Sequence, residues 1–80
     1  MWHLRTRLGV FWLVEQSGSD IGKVFRLGFD DLELGVYKHA QDAVKDVCEQ
    51  STGHLTWDCS SNVRVPKKIK DWRKGEPDTW

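Results

Sequence analysis

From Leu8 to Gln16 the chain is dense in β-branched and aromatic residues, with Val10, Phe11, Trp12 and Val14 inside one short run. That composition predicts a strand. Its two faces are both apolar, Phe11 and Leu13 one way and Val10, Trp12 and Val14 the other. Ser17-Gly18-Ser19-Asp20 reads as a loop. A second strand is predicted from Ile21 to Phe29, with Phe25, Leu27 and Phe29 opposite Val24 and Arg26. Asp30-Asp31 supplies a tight turn, because aspartate caps its own backbone and tolerates turn geometry. A third strand, Leu32 to Tyr37, sets Leu32, Leu34 and Val36 against Glu33, Gly35 and Tyr37. Short connections favour antiparallel neighbours, so the three form a meander.

The period then changes. Ala40, Ala43, Val44, Val47 and Cys48 fall at i, i+3, i+4, i+7 and i+8, one apolar stripe of a helix that starts near His39. Asp42 and Asp46 suit its positive N-terminal end, and Gly53 is the expected stop. Beyond it, His54 to Cys59 is expected to be a fourth short strand or an extended arm carrying Trp57. Pro66 is expected to open a short helix, Lys67 to Lys74, with Ile69 and Trp72 turned inward. Met1 to Arg7 either extends the first strand or frays. The fold class is therefore α+β: a three-stranded antiparallel meander on one α-helix, then an extended arm and a short C-terminal helix. Residues 1–75 make one small domain, and 76–80 a frayed tail.

One helix covers one face of a sheet, which leaves the face with Trp12, Val24, Arg26 and Tyr37 to be covered or used. The C-terminal arm is expected to cross it, with Trp57, Ile69 or Trp72 as the plug. If it does not, Trp12, Arg26 and Tyr37 are the candidate binding residues.

Charge adds little to that picture. The 80 residues carry 12 bases and 12 acids, but residues 15–58 hold four bases against nine acids and residues 59–80 six against three. An acidic middle beside a basic end fits a solvated, self-complementary surface better than a nucleic-acid footprint. Two cysteines are too few for a disulfide scaffold, and Cys48 falls on the helix's apolar stripe. The apolar run Val10 to Val14 is too short for a signal peptide or a membrane span, so a cytoplasmic location is expected. Cys48, His54 and Cys59 lack the paired spacing of a zinc site, and no metal or other cofactor is expected. Nucleophile elbow, phosphate loop and paired-carboxylate patterns are missing too, which argues against an enzyme.

Two resemblances bear on function. The stretch from Val10 to Val47, three strands ending Leu34-Gly35-Val36-Tyr37 before an alanine-bearing helix, resembles the plant ethylene-response-factor DNA-binding domain and the N-terminal domain of some tyrosine integrases. That likeness implies a sheet in the DNA major groove, here offering Arg5, Arg7, Trp12, Lys23 and Arg26. Glu15, Asp20, Asp30, Asp31 and Glu33 on the same sheet and turns oppose it, since phosphate binding needs net basic surface. Leu34-Gly35-x-Tyr37, Ala43-Val44, Thr52-Gly53, Trp57-Asp58, Pro66 and Trp72 together resemble a family of short uncharacterised bacterial proteins. His39 stands where that pattern has a helix-capping serine, and histidine caps less well. The family offers no activity to carry over; it implies a core plug at Trp57, a chain turn at Asp58 and a clamped final helix. The expected function is a non-catalytic bacterial module that binds another macromolecule, most naturally a protein, with sheet-mediated nucleic-acid binding as the alternative. No membrane partner is expected.

Overall fold

A computed structural model of the chain describes residues 1–18, 22–61 and 63–78. It is an α+β fold with a five-stranded antiparallel sheet in the order β4-β3-β2-β1-β5. The strands are β1 (Trp2–Thr6), β2 (Gly9–Gly18), β3 (Gly22–Phe29), β4 (Leu32–Tyr37) and β5 (Arg73–Lys74). Helix α1 spans Ala40–Cys48, α2 is a single turn at Leu55–Asp58, and a 3-10 turn covers Ile69–Asp71.

The sheet is wider than the expected three-stranded meander. Trp2–Thr6 forms its own strand because Thr6 organises a turn at Arg7-Leu8. Its hydroxyl accepts from the Leu8 and Gly9 N–H groups, both at 3.2 Å, and donates to the Gly9 carbonyl at 2.8 Å. That side chain does the work an Asn-Gly pair does in more recognisable hairpins. The β3–β4 turn is the expected Asp30-Asp31, with Asp30 in the left-handed region at φ 53°.

The main core cluster lies on one side of the sheet, while Val10 and His3 are buried on the other. Phe11, Leu13, Phe25, Leu27 and Phe29 meet Ala43, Val44 and Val47 of α1, so the predicted helical stripe docks on the predicted strand faces. His39 is the N-cap residue and its side chain makes no capping hydrogen bond. The C-terminal end departs from expectation: the left-handed residue is Gln50 (φ 56°), three positions before Gly53. The Ser51 N–H returns to the Asp46 carbonyl at 2.9 Å and closes the last turn there.

The arm also differs. His54 to Cys59 is neither strand nor extended arm, since Leu55–Asp58 is helical. The expected helix over Lys67 to Lys74 is a 3-10 turn followed by β5, which pairs Lys74 with Trp2 and Arg73 with His3. A helix of two turns has little stability alone, and the free edge of β1 offers backbone partners instead. Trp57 and Trp72 land on the helix side, packed on Phe11 at centroid separations of 4.8 and 6.4 Å. The arm therefore thickens the first face, where it was expected to cross the second. Trp57 explains the choice: its indole N–H donates to the Val47 carbonyl at the end of α1 (3.0 Å), satisfying two buried polar groups at once. Trp72 Nε1 is buried with no hydrogen-bond partner among the described residues, so that ring is held by packing alone.

Asp58 turns the chain between α1 and the arm. Its carboxylate accepts from the Thr52 N–H (3.0 Å), the Thr52 hydroxyl (2.8 Å) and the Gly53 N–H (2.8 Å). Of the expected frayed tail, Pro77 is buried and Glu76 and Asp78 are exposed, while Thr79 and Trp80 lie outside the described residues. The loop expected at Ser17-Gly18-Ser19-Asp20 is described only in part: Ser17 and Gly18 belong to β2, and Ser19 and Asp20 lie outside the described residues.

Candidate binding face

The other side of the sheet is built by the alternate residues of the same strands. Cross-strand pairing sets Val14 beside Arg26 and Arg26 beside Val36, and sets Trp12 between His3 and Gly28. Gln16 and Val24 complete the face toward the β2–β3 end. Both helices and the 3-10 turn pack on the opposite side, so among the described residues no helix covers this one. Val36 is 57% exposed. A shallow depression of about 420 Å³ is lined by Trp12, Val14, Glu15, Gln16 and Arg26.

Trp12 lies flat. Gly28 has no side chain, and a Cβ there would overlap the indole ring. The ring occupies that space and its N–H bonds the Asp30 carbonyl at 2.6 Å. Asp30 is in turn tied to β2 by a backbone bond to the Val10 carbonyl (2.8 Å) and a carboxylate bond from the Val10 N–H (2.9 Å). An aromatic ring fixed at both ends presents area to a partner at little entropic cost.

Arg26 is not a loose cation. Nε and Nη2 fork onto the two Glu33 oxygens at 2.8 and 2.6 Å, and Nη1 reaches Gln16 at 3.3 Å. The Arg26 hydrogen bonds hold the Glu33 carboxyl below its ordinary range despite some desolvation, and they raise the guanidinium in turn. The pair is side by side on an open surface, a neutral polar feature beside an apolar one.

Tyr37 is not on this face. It pairs with Phe25, points to the helix side, and its hydroxyl donates to Asp46 of α1 at 2.7 Å. Burial first, and then the Asp46 carboxylate, push the phenol well above its ordinary range. The cause of the misplacement is a β-bulge: Glu33 opposes Gly28 but Gly35 opposes Leu27, leaving Leu34 as the extra residue. One extra residue reverses the inside–outside parity of everything after it. Leu32 and Glu33 keep their predicted sides; Gly35, Val36 and Tyr37 exchange theirs. Glu15, on the Phe11 and Leu13 side of β2, pairs with Phe25 and bonds Lys23 (2.8 Å) on the helix side.

The other chemistry weighed from sequence is dispersed. Both cysteines are free; the Cys48 thiol donates to the Pro66 carbonyl at 3.2 Å and burial raises its pKa. His54 Nδ1 accepts from the Trp57 N–H at 3.3 Å and its ring lies on Phe29. Among the described residues no three His, Cys, Asp or Glu side chains converge on a metal position, and no helix is long and apolar enough to cross a membrane. Comparison with family models, curated proteins and solved structures finds no match to this chain.

Proposed function

We propose that this chain is a non-catalytic cytoplasmic binding module that takes a protein partner on the face of Trp12, Val14, Val24, Val36 and the Arg26–Glu33 pair. The observation that carries this reading is the side on which Trp57 and Trp72 pack. Both arm tryptophans join the helix side, so the second apolar face keeps a pinned indole and an exposed valine at its surface. An aromatic anchor beside aliphatic residues, rimmed by a satisfied ion pair, is the make-up of a protein interface core.

Sheet-mediated nucleic-acid binding is the second reading, and one observation favours it. Glu15 sits on the other side, while Arg5 and Arg73 share the open face with Trp12. Against it, Glu33 occupies the guanidinium of Arg26, the cation nearest the centre of that face. A photoreactive phenylalanine analogue placed at position 36, with position 45 on the exposed side of α1 as control, separates the readings in living cells. A single protein adduct formed from position 36 and not from position 45 is the expected result. Equal adducts from both positions, or none from 36, remove the reading. Retention of duplex DNA that collapses steeply with added salt replaces it with the second.

A further inference from the structure

A second site lies on the helix side of the sheet, under the edge of β1, independent of the open face. The arm residues 63–65 run beside that edge and leave a cavity of about 320 Å³. Leu4, Val65 and the buried ring of Trp57 form its apolar floor, the β1 edge borders it through Arg5 and Thr6, and Arg7 and Arg64 line its walls. No carboxylate is among its lining residues, and residues 1–14 of the chain contain none at all. Arg7 donates to the Ser61 carbonyl at 2.7 Å, which ties the arm to the β1–β2 turn and uses one of five guanidinium donors. Arg64 is exposed at the mouth.

Arg7 and Arg64 bring two guanidiniums to one cavity whose lining holds no acid. An anion supplied from outside removes their mutual repulsion and gains forked, charge-assisted hydrogen bonds. The floor asks for something else. Leucine, valine and indole surface is best covered by a flat apolar body, and the volume stands at the lower end of the range for small-molecule sites. We propose that this cavity binds a small free organic anion, a carboxylate or phosphate carried on an aromatic or similarly flat apolar group. The charge sits between Arg7 and Arg64, and the ring sits against Leu4 and Val65 above Trp57.

The test uses the full chain and phenyl phosphate, with inorganic phosphate and benzyl alcohol as half-ligands, followed by NMR. Phenyl phosphate is expected to shift the Trp57 indole and the Leu4 and Val65 methyl resonances saturably. Inorganic phosphate and benzyl alcohol each bind at least about tenfold more weakly, since each lacks one half of the recognition. Arg64→Glu is expected to weaken phenyl phosphate by about tenfold or more, and Arg64→Lys by less, because lysine keeps the charge but loses the fork. Arg64 is exposed, so neither variant threatens the fold, and Lys45→Ala on the exposed side of α1 leaves the titration unchanged. Absence of a saturable shift at millimolar ligand overturns the proposal. So does equal affinity for phenyl phosphate and inorganic phosphate, or equal affinity of wild type and Arg64→Glu.

Discussion

Phe11 and Trp12 are neighbours in β2 and face opposite ways. Phe11 is fully buried, with Phe29 and Trp57 packed edge-on against it at 4.7 and 4.8 Å. Trp12 is half-buried and rests on the bare backbone of Gly28, held by one hydrogen bond to the Asp30 carbonyl. The first ring is surrounded by side chains from α1 and the arm, whereas among the described residues no helix covers the second. A small domain has few large side chains with which to build a core. Here they are concentrated on one face, and the other is left with valines and a flat indole. The difference concentrates burial on one side and leaves Val36 and part of the Trp12 ring exposed on the other.

The sharpest way to break that division is to remove a side chain from the helix side. Trp57 is the largest fully buried residue and joins α1, the arm and Phe11. Trp57→Ala is expected to cost about 3–5 kcal/mol, which for a chain this short leaves most molecules unfolded at 25 °C. Urea denaturation followed by circular dichroism measures it. A loss of about 1 kcal/mol or less would mean that the arm is not part of the core.

Gly28→Ala comes next and acts on the open side. The added methyl group would overlap the Trp12 ring, so either the indole lifts away or the strand shifts. The expected cost is about 1–3 kcal/mol. It should come with a changed Trp12 indole N–H resonance as the bond to Asp30 is lost. A double-mutant cycle with Trp12→Ala sharpens the result, because the penalty of the methyl group should shrink once the ring is gone. An unchanged penalty would place its origin in the backbone and not beneath the indole.

These two sites also mark how much the order of residues discloses. The helix stripe and the alternation of β2 and β3 are legible because period 3.6 and period 2 differ plainly over runs of this length. Both faces of β2 are apolar in the residue order itself. The side on which the arm packs is not legible: Trp57 has the same composition above or below a sheet, and the choice turns on the Val47 carbonyl that its N–H meets. Parity in β4 is lost to the bulge at Leu34, which leaves no mark beyond the adjacent Gly35. The first hairpin escapes because Thr6 supplies its turn through a side chain, and Thr-Arg-Leu-Gly is not a usual turn signal. The outward side of Arg26 follows from alternation, but its fork onto Glu33 depends on a register that the bulge sets.

Asp58 offers a smaller effect with a direction in pH. Burial alone would raise its pKa; the hydrogen bonds from Thr52 and Gly53, helped by His54, overcome this and hold it below the ordinary carboxylate range. A carboxylate whose pKa is lower folded than unfolded stabilises the fold above its unfolded pKa. That contribution is lost as pH falls through the lowered value. Thermal stability is therefore expected to drop as pH falls below the ordinary carboxylate range, and Asp58→Asn should flatten the drop. At neutral pH the same variant is expected to cost about 1 kcal/mol, kept small by partial solvent access. An equally steep acid limb in Asp58→Asn would place the titrating group elsewhere.

The smallest effect is the one on which the division between faces depends most. Val36 is 57% exposed, and its neighbour across the strand is the ion-paired Arg26. Val36→Thr keeps the β-branched shape, and with it the strand preference, while placing a hydroxyl where a methyl group stood. On an open face that hydroxyl stays hydrated, so stability should change by no more than about 0.5 kcal/mol. Under a covering layer the same hydroxyl would lose its water without gaining a partner, at a cost of roughly 1–3 kcal/mol. Chemical denaturation of this single variant thus reads whether Val36 faces solvent or a buried layer. A near-zero change, together with a protein adduct from the analogue at position 36 in the otherwise unsubstituted chain, supports a role for the open face in binding and not in folding. A core-like penalty would mean that the second face is closed and that the partner, if there is one, docks elsewhere.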